Sequence, residues 1–162
     1  MKSFEIRRAG HEDAEAIIDS HVRSIREICS RDYTQLQINA WAGRNFKAHL
    51  WCQTMDRDLV WVVCVDSQVR GYGHLAVMNA SEGEVMGLYL APEALGIGAG
   101  KKLFDVVLKT ALENKLQVLN LHATKTARGF YEKQGFFQVP GLESVEIGGV
   151  DIPCTPMSRK LT

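Results

Sequence analysis

This 162-residue sequence has no excess of positive or negative charge, because 19 lysine and arginine residues balance 19 aspartate and glutamate residues. It has no basic run and no basic patch with interleaved aromatic residues, so we expect no nucleic-acid partner. Its longest apolar run, Leu59–Val65, is far shorter than the ~20 residues that a membrane-spanning helix needs. The polar first ten residues do not resemble a secretory signal. The sequence therefore predicts a cytoplasmic protein without a membrane partner.

Cysteine is also scarce. The four cysteines, Cys29, Cys52, Cys64 and Cys154, are irregularly spaced and include no C-x-x-C pair. This pattern argues against a disulfide framework and against a zinc site. The five histidines lack ligand spacing as well. We therefore expect reduced cysteines that serve in packing, and no metal.

The chain has enough apolar residues to fold without such supports. Hydrophobic residues make up 46% of the sequence, and a chain of this length buries roughly two-thirds of its unfolded surface. No linker, internal repeat or low-complexity tract interrupts it. The sequence predicts one domain over residues 1–162.

Residues 88–103 form the most informative stretch, in which an apolar strand runs through alternating glycines into an amphipathic helix. Gly96, Gly98 and Gly100 lack a Cβ, so the backbone can turn tightly and a ligand can approach its N–H groups. The unpaired N–H groups and the dipole of a helix N-terminus favour an anion. Lys101 adds positive charge where a helix alone disfavours it. We predict a phosphate site.

Two common nucleotide motifs do not match this stretch. The P-loop pattern requires glycine at Leu95 and a hydroxyl at Lys102, and the dinucleotide pattern requires a third glycine at Lys101 or Leu103. Neither nucleotide fold is favoured. A simple glycine turn between strand and helix remains the alternative on this stretch alone.

A second pattern lies in residues 119–136. Apolar residues alternate with polar ones at its start, which predicts a strand with one buried face. Thr124 is placed to cap a short helix and Gly135 to end it. The inner face of that helix is predicted to consist of Ala127, Phe130 and Tyr131.

Together the two stretches resemble the GNAT superfamily of acetyl-CoA-dependent N-acetyltransferases. The family pattern P-x-x-[QR]-G-x-G-[IV]-[GA]-x-x-L is matched at Pro92, Gly96, Gly98, Gly100 and Leu103, and N-x-x-A-x-x-F-Y-x-K-x-G-F at Ala127, Phe130, Tyr131, Lys133, Gly135 and Phe136. Leu95 replaces the usual Gln or Arg, and Thr124 replaces the usual Asn. Leu95 offers only a backbone N–H, so we expect weaker diphosphate binding or more reliance on Lys101.

Periodicity predicts the order β-α-α-β-β-β-α-β-α-β-β. The predicted strands cover residues 4–8, 59–66, 69–79, 84–90, 119–123, 136–139 and about 151–159. A long helix is predicted from residue 14 to 28, a second from a capping box at Thr34 and Gln37 through Trp41, and a short helical piece at residues 46–51. Gly148 and Gly149 mark a turn between the last strands.

The resemblance implies the same order and an α/β fold of the α+β type. It implies a mixed, mostly antiparallel sheet of six to seven strands, flanked by about four helices, whose central strands splay apart after Leu90 and near Ala123. Acetyl-CoA is the implied cofactor, with its pantetheine in that wedge. The implied cofactor residues are Leu88, Tyr89, Leu90, Leu95, Gly96, Ile97, Gly98, Ala99, Gly100, Lys101, Thr124, Ala127, Phe130, Tyr131 and Lys133.

The resemblance also implies direct attack of a primary amine on the thioester in a ternary complex. Tyr131 is expected to face the leaving sulfur, and a backbone N–H near Leu90 to stabilise the oxyanion. Glu84 matches a position where several family members keep a basic carboxylate, while His74 and His122 are alternatives with suitable intrinsic pKa values.

The acceptor is expected to be an amine of a small molecule or a peptide. Its pocket is expected among the first two helices and the loop after Gly141, with Tyr33, Trp41 and His74 as substrate-binding residues. A non-catalytic acyl-CoA-binding module and a phosphate-binding enzyme of another class remain alternatives. The sequence leaves the amine and a homodimer open.

Overall fold

Within residues 2–161, which a computed structural model describes, the chain forms eight strands and five α-helices. The strands are β1 (Phe4–Arg8), β2 (Leu59–Val65), β3 (Gln68–Val77), β4 (Glu82–Leu90), β5 (Val118–Thr124), β6 (Phe137–Gln138), β7 (Ser144–Ile147) and β8 (Val150–Lys160). The helices are α1 (Ala14–Glu27), α2 (Gln35–Ala42), α3 (Ala48–Arg57), α4 (Ala99–Glu113) and α5 (Arg128–Lys133).

The strands form one open sheet in the order β1-β2-β3-β4-β5-β8-β6, and β7 pairs with β8. Every pairing is antiparallel except that of β4 with β5, which α4 connects. The predicted mixed, mostly antiparallel α/β fold is confirmed. The predicted element order lacks β7, which forms a hairpin with β8 around Gly148 and Gly149. It also lacks α3, of which the sequence predicts only a short helical piece at residues 46–51.

Local sequence signals explain several element boundaries. The predicted capping box at the start of α2 is confirmed, since the Gln37 N–H donates to Thr34 Oγ1 at 3.2 Å and the Thr34 N–H donates to Gln37 Oε1 at 2.9 Å. Gly135 has a φ of +85° after α5, a conformation that suits glycine at a helix end.

The two faces of the sheet carry separate cores. On one face α4 contributes Leu103, Phe104 and Val107 to a cluster with buried strand residues. On the other face α1 and α2 pack through Ile17, Ile25 and other apolar residues. This second face also buries polar side chains, namely Ser20, His21, Ser24 and His74. α1 therefore buries polar as well as apolar side chains against the sheet.

The central strands separate as predicted. β4 pairs with β5 only from Glu82 to Val85. Beyond that point β4 follows β3 as far as Leu90, whereas β5 follows β8 as far as Thr124. The result is a wedge, by which we mean the gap between the separated ends of β4 and β5.

A β-bulge lies where the wedge opens. The register of β3 with β4 shifts between His74, opposite Gly87, and Leu75, opposite Val85, so Met86 is the extra residue. An extra residue reverses the alternation of side chains beyond it. Val85 and Leu88 accordingly both pack in the α4 core, whereas Tyr89 packs with the α1 side.

No helix within residues 2–161 is both long enough and apolar enough to cross a membrane.

Candidate active site

The wedge is a cleft with a largely apolar lining. α5 and the turn before it supply one wall, β4 supplies the other, and the end of α1 covers part of it. The predicted cofactor residues that line it are Leu88, Tyr89, Leu90, Leu95, Gly100, Thr124, Ala127, Phe130 and Tyr131.

The edge of β4 that faces the wedge has free backbone groups. The Ala91 N–H donates to Arg70 O at 2.8 Å, and Arg70 belongs to β3, so the backbone groups of Ala91 point away from the wedge. Because successive residues of a strand direct their backbone groups to opposite sides, those of Leu88 and Leu90 point into the wedge. β5 does not pair with β4 at this level, so these groups are available to a ligand.

The glycine-rich loop presents a continuous run of N–H groups. Gly96 and Gly98 have φ values of +72° and +84°, and Gly98 precedes the first residue of α4. Within the described part of the chain, the N–H groups of residues 96–101 donate to no backbone acceptor. The Leu95 N–H differs, because it donates to Pro92 O at 3.2 Å. The Leu95 N–H is therefore paired within the loop, and its expected contact with a phosphate stays a prediction.

The side chains around this loop divide into two groups. Ala99 is buried in the core beneath it, and the half-buried Ile97 packs against that core. Lys101 forms an ion pair with Asp105 one turn along α4, and Lys133 is exposed and outside the cleft lining. The positive charge expected at Lys101 is thus paired along α4 with Asp105.

Thr124 keeps the role expected of the usual asparagine. Its Oγ1 accepts a hydrogen bond from the Ala127 N–H at 3.0 Å, which supports the turn that leads into α5. The replacement of asparagine by threonine therefore leaves this turn hydrogen-bonded, although Ala127, the N-cap residue of α5, has no side-chain cap.

Tyr131 is 5% exposed and lines the wedge. Its ring meets Phe130 and Phe136 edge to face, with centroids 5.4 Å and 5.6 Å away. Burial raises the pKa of its hydroxyl above the usual value. The group is therefore a neutral hydrogen-bond donor at physiological pH.

A second cavity lies on the α1 side of the sheet, and we call it the acceptor cavity. It brings together Tyr33, Trp41 and His74, the three predicted substrate residues, with Val145 and Ile147 of the segment after Gly141. Its aromatic lining consists of Tyr33, Trp41, Phe46, Trp51, Tyr72 and Tyr89. The structure thus brings the three residues together, and their contact with an acceptor stays a prediction.

Two of the predicted acceptor residues are fixed by internal hydrogen bonds. The Tyr33 hydroxyl donates to Pro153 O at 2.7 Å and accepts from the Lys125 N–H at 2.9 Å. His74 Nε2 lies 2.7 Å from Asp58 Oδ2. Burial lowers the pKa of His74, although the Asp58 carboxylate opposes that shift.

The wedge and the acceptor cavity meet. Met86, Tyr89, His122 and Thr124 line both of them. Two ligands, one in each space, would therefore come into contact at these four residues.

Glu84 reaches this junction only through a neighbour. It lines neither space, but its Oε1 lies 3.6 Å from Nδ1 of His122, whose side chain is 44% exposed. Of the three residues considered as the base, His122 is the one at the junction, and Glu84 lies beside its imidazole.

Sequence reasoning missed a polar group in the acceptor cavity. His21, Arg44 and Tyr72 line this cavity, with the Tyr72 hydroxyl 2.9 Å from His21 Nδ1 and Arg44 Nη2 3.3 Å from His21 Nε2. The helical spacing of His21 with Ile17 and Ile25 would have revealed its burial. No cluster of three or more metal-ligating side chains occurs in the described residues.

Known proteins resemble this chain in sequence and in fold. An uncharacterized N-acetyltransferase of Archaeoglobus fulgidus is 30% identical over 81% of this chain and 91% of its own length. A GCN5-related N-acetyltransferase of Rhodopseudomonas palustris superimposes with a TM-score of 0.87 at 23% identity, covering 99% of this chain and 98% of that one. The PaiA N-acetyltransferase of Thermoplasma acidophilum, solved with coenzyme A, gives 0.80 at 22% identity, covering 98% and 99%.

These structural likenesses show the fold, and the sequence relation shows the family. The family described as "Acetyltransferase (GNAT) domain" matches residues 29–161. The chain therefore belongs to the GNAT family of acetyltransferases, enzymes whose acyl donor is acetyl-CoA.

Proposed function

We propose that this protein transfers an acetyl group from acetyl-CoA to a primary amine by direct attack in a ternary complex. The observation that carries the proposal is the junction of the wedge with the acceptor cavity at Met86, Tyr89, His122 and Thr124. Direct transfer requires the amine and the thioester to come within contact distance of each other. The junction is the place where ligands in the two spaces would be that close.

The residues of the wedge fit coenzyme A. The free N–H groups of residues 96–101 at the start of α4 suit its diphosphate, and a Cβ built on Gly96 or Gly98 has no atom within 4 Å, so the loop has open space before it. The backbone groups of Leu88 and Leu90 suit the pantetheine amides. Acetyl-CoA supplies the thioester whose carbonyl the amine attacks.

The wedge-facing edge of β4 also supports catalysis. The N–H groups of Leu88 and Leu90 are directed at the same space, and such a fixed donor stabilises negative charge that develops on an acyl oxygen. Because these donors belong to a strand that stays paired with β3, they need no reorganisation during the reaction.

His122 is our candidate for the general base. It lines both spaces and its Nδ1 faces Glu84 at 3.6 Å. Within the described residues its Nε2 forms no hydrogen bond with protein, so it remains available to accept the amine proton, directly or through water. Glu84 is a positioning residue for the imidazole.

Tyr131 is our candidate for stabilising the leaving thiolate. A phenol has a pKa of about 10 and a thiol about 8.5, so complete proton transfer is uphill by roughly 2 kcal/mol before burial is considered. Burial raises the Tyr131 pKa further, which makes transfer less favourable still. We therefore assign it a hydrogen bond to the sulfur.

The decisive experiment measures release of free thiol from acetyl-CoA across a library of primary amines. We expect release that depends on one class of amine, and acetylation of that amine confirmed by mass spectrometry. His122→Gln should lower kcat by about 10²-fold or more, the usual contribution of a general base. His49→Gln is the matched control, because His49 is exposed on α3 and lines neither space.

A second candidate, a non-catalytic acyl-CoA-binding module, is favoured by two features of the loop. The Leu95 N–H is already bonded, and Lys101 is paired with Asp105. Binding of coenzyme A by calorimetry, with no thiol release for any amine, would establish the module instead. Absence of both binding and release would exclude both functions.

A further inference from the structure

The acceptor cavity has an unusual distribution of charge. Arg44 lines it, and no aspartate or glutamate of the described chain does. A polycationic acceptor would meet no carboxylate there and would be repelled by Arg44. An acceptor that carries a negative group besides its amine would find a counter-charge.

Arg44 is held in place by neutral groups. Its Nε donates to Trp41 O at 3.0 Å, its Nη2 lies 3.3 Å from His21 Nε2, and its guanidinium lies over the Phe46 ring at 4.8 Å. Within residues 2–161 no carboxylate forms an ion pair with it, and its side chain keeps exposed surface. The guanidinium has five N–H donors, so several remain for a ligand.

This arrangement fixes the tautomer of His21. Because a guanidinium only donates, His21 Nε2 must accept, and the ring proton of the neutral imidazole then sits on Nδ1. Burial, with a smaller effect of Arg44, lowers the pKa of His21 to about 3, which keeps the ring neutral. His21 Nδ1–H accordingly donates to the Tyr72 oxygen 2.9 Å away.

The consequence is a second donor directed at the same cavity. The Tyr72 oxygen receives the His21 hydrogen bond, so its own hydroxyl hydrogen needs another acceptor. Tyr72 is 3% exposed and lines the cavity, and His21 is its only hydrogen-bond partner among the described residues. A buried hydroxyl hydrogen without an acceptor is costly, and a ligand oxygen would satisfy it.

We propose that the acceptor is an amine that also carries a carboxylate, of the amino-acid type, with an apolar group among the aromatic residues. Arg44 and Tyr72 bind the carboxylate, and Trp41 and Trp51 contact the apolar group. The inference rests on the proposed function, because it names the acceptor of that same transfer.

The test compares each carboxylate-bearing amine with its counterpart that lacks the carboxylate. The pairs are phenylalanine with phenethylamine, leucine with isoamylamine, and methionine with 3-(methylthio)propylamine. For wild type we expect kcat/KM at least about tenfold higher for the carboxylate member of at least one pair. Calorimetric titration with the same compounds provides a readout that does not depend on turnover.

Variants separate recognition of the carboxylate from the intrinsic reactivity of each amine. Arg44→Gln should lower the ratio of kcat/KM within the preferred pair by about tenfold or more, and Tyr72→Phe should lower the same ratio. Arg26→Gln is the matched control, since Arg26 is exposed on α1 and lines neither space. Melting temperatures verify that each variant is folded.

The outcomes are distinguishable. Equal or better use of the amines without a carboxylate, or a ratio that Arg44→Gln leaves unchanged, overturns the inference but not the acetyltransfer. Transfer to other amines and to no member of the panel also overturns it. Binding of coenzyme A without transfer to any amine overturns the proposed function, and the inference with it.

Discussion

The buried imidazole of His21 makes the stability of this protein depend on pH between 6.5 and about 3. His21 is 7% exposed, and burial lowers its pKa from 6.5 to about 3. Below pH 6.5 the unfolded chain binds a proton that the folded protein does not bind until about pH 3. Protonation therefore favours unfolding throughout that interval.

The magnitude follows from linkage. Each pH unit below 6.5 costs about 1.4 kcal/mol for one such group, so His21 alone should lower the free energy of unfolding by about 2 kcal/mol between pH 7 and pH 5. The lowered pKa of His74 acts with the same sign. The lowered pKa values of Asp13 and Asp58 act below this window, because their stabilisation is lost only as pH falls below about 4.

Urea unfolding of wild type and His21→Gln at pH 7 and pH 5 tests this reasoning. The glutamine variant should be less stable at pH 7, because it loses hydrogen bonds to Tyr72 and Arg44, but its decline toward pH 5 should be smaller by about 2 kcal/mol. His49→Gln, at an exposed histidine, should retain the full decline. Equal declines in wild type and His21→Gln would refute the burial of a neutral imidazole.

Three further predictions concern the loop, a helix cap and the phenol. Gly98→Ala should destabilise by about 1 kcal/mol because φ is +84°, whereas Gly129→Ala, inside α5 with open space around its Cβ, should stabilise by about 0.5–1 kcal/mol; urea unfolding measures both. Thr34→Ala should cost about 1 kcal/mol through loss of the capping box, and retention of wild-type stability would contradict this. Tyr131→Phe should lower kcat for thiol release while the calorimetric affinity for acetyl-CoA stays near wild type, and an unchanged kcat would remove Tyr131 from the mechanism.

Local signals in the sequence were sufficient for most elements. β1 has the predicted bounds, and the start of α2 follows from Thr34 and Gln37. The wedge also follows from the sequence, through the resemblance that the two motifs carry. Each of these features is determined by residues close together in the chain, which is why a single sequence reveals it.

Features that depend on distant packing were not predictable. The β-bulge at Met86 arises from the register of β3 against β4, and it places Val85 and Leu88 on the same face of β4. β7 consists mostly of exposed residues, so it lacks the alternation of a half-buried strand. Arg44 lies in a segment without periodicity, and only the fold brings it to His21.

The separation of β4 from β5 leaves two strand edges inside the sheet that are not paired with each other. Backbone pairing joins the halves β1–β4 and β5–β8 over only four residue pairs. Elsewhere the helices on the two faces connect them. A coenzyme bound between the halves would take the place of a strand, because it would form hydrogen bonds with the backbone groups of β4 that β5 does not reach. Coenzyme binding should then slow hydrogen exchange at the Leu88 and Leu90 amides. Binding would in this way also make the two halves of the sheet more rigid relative to each other.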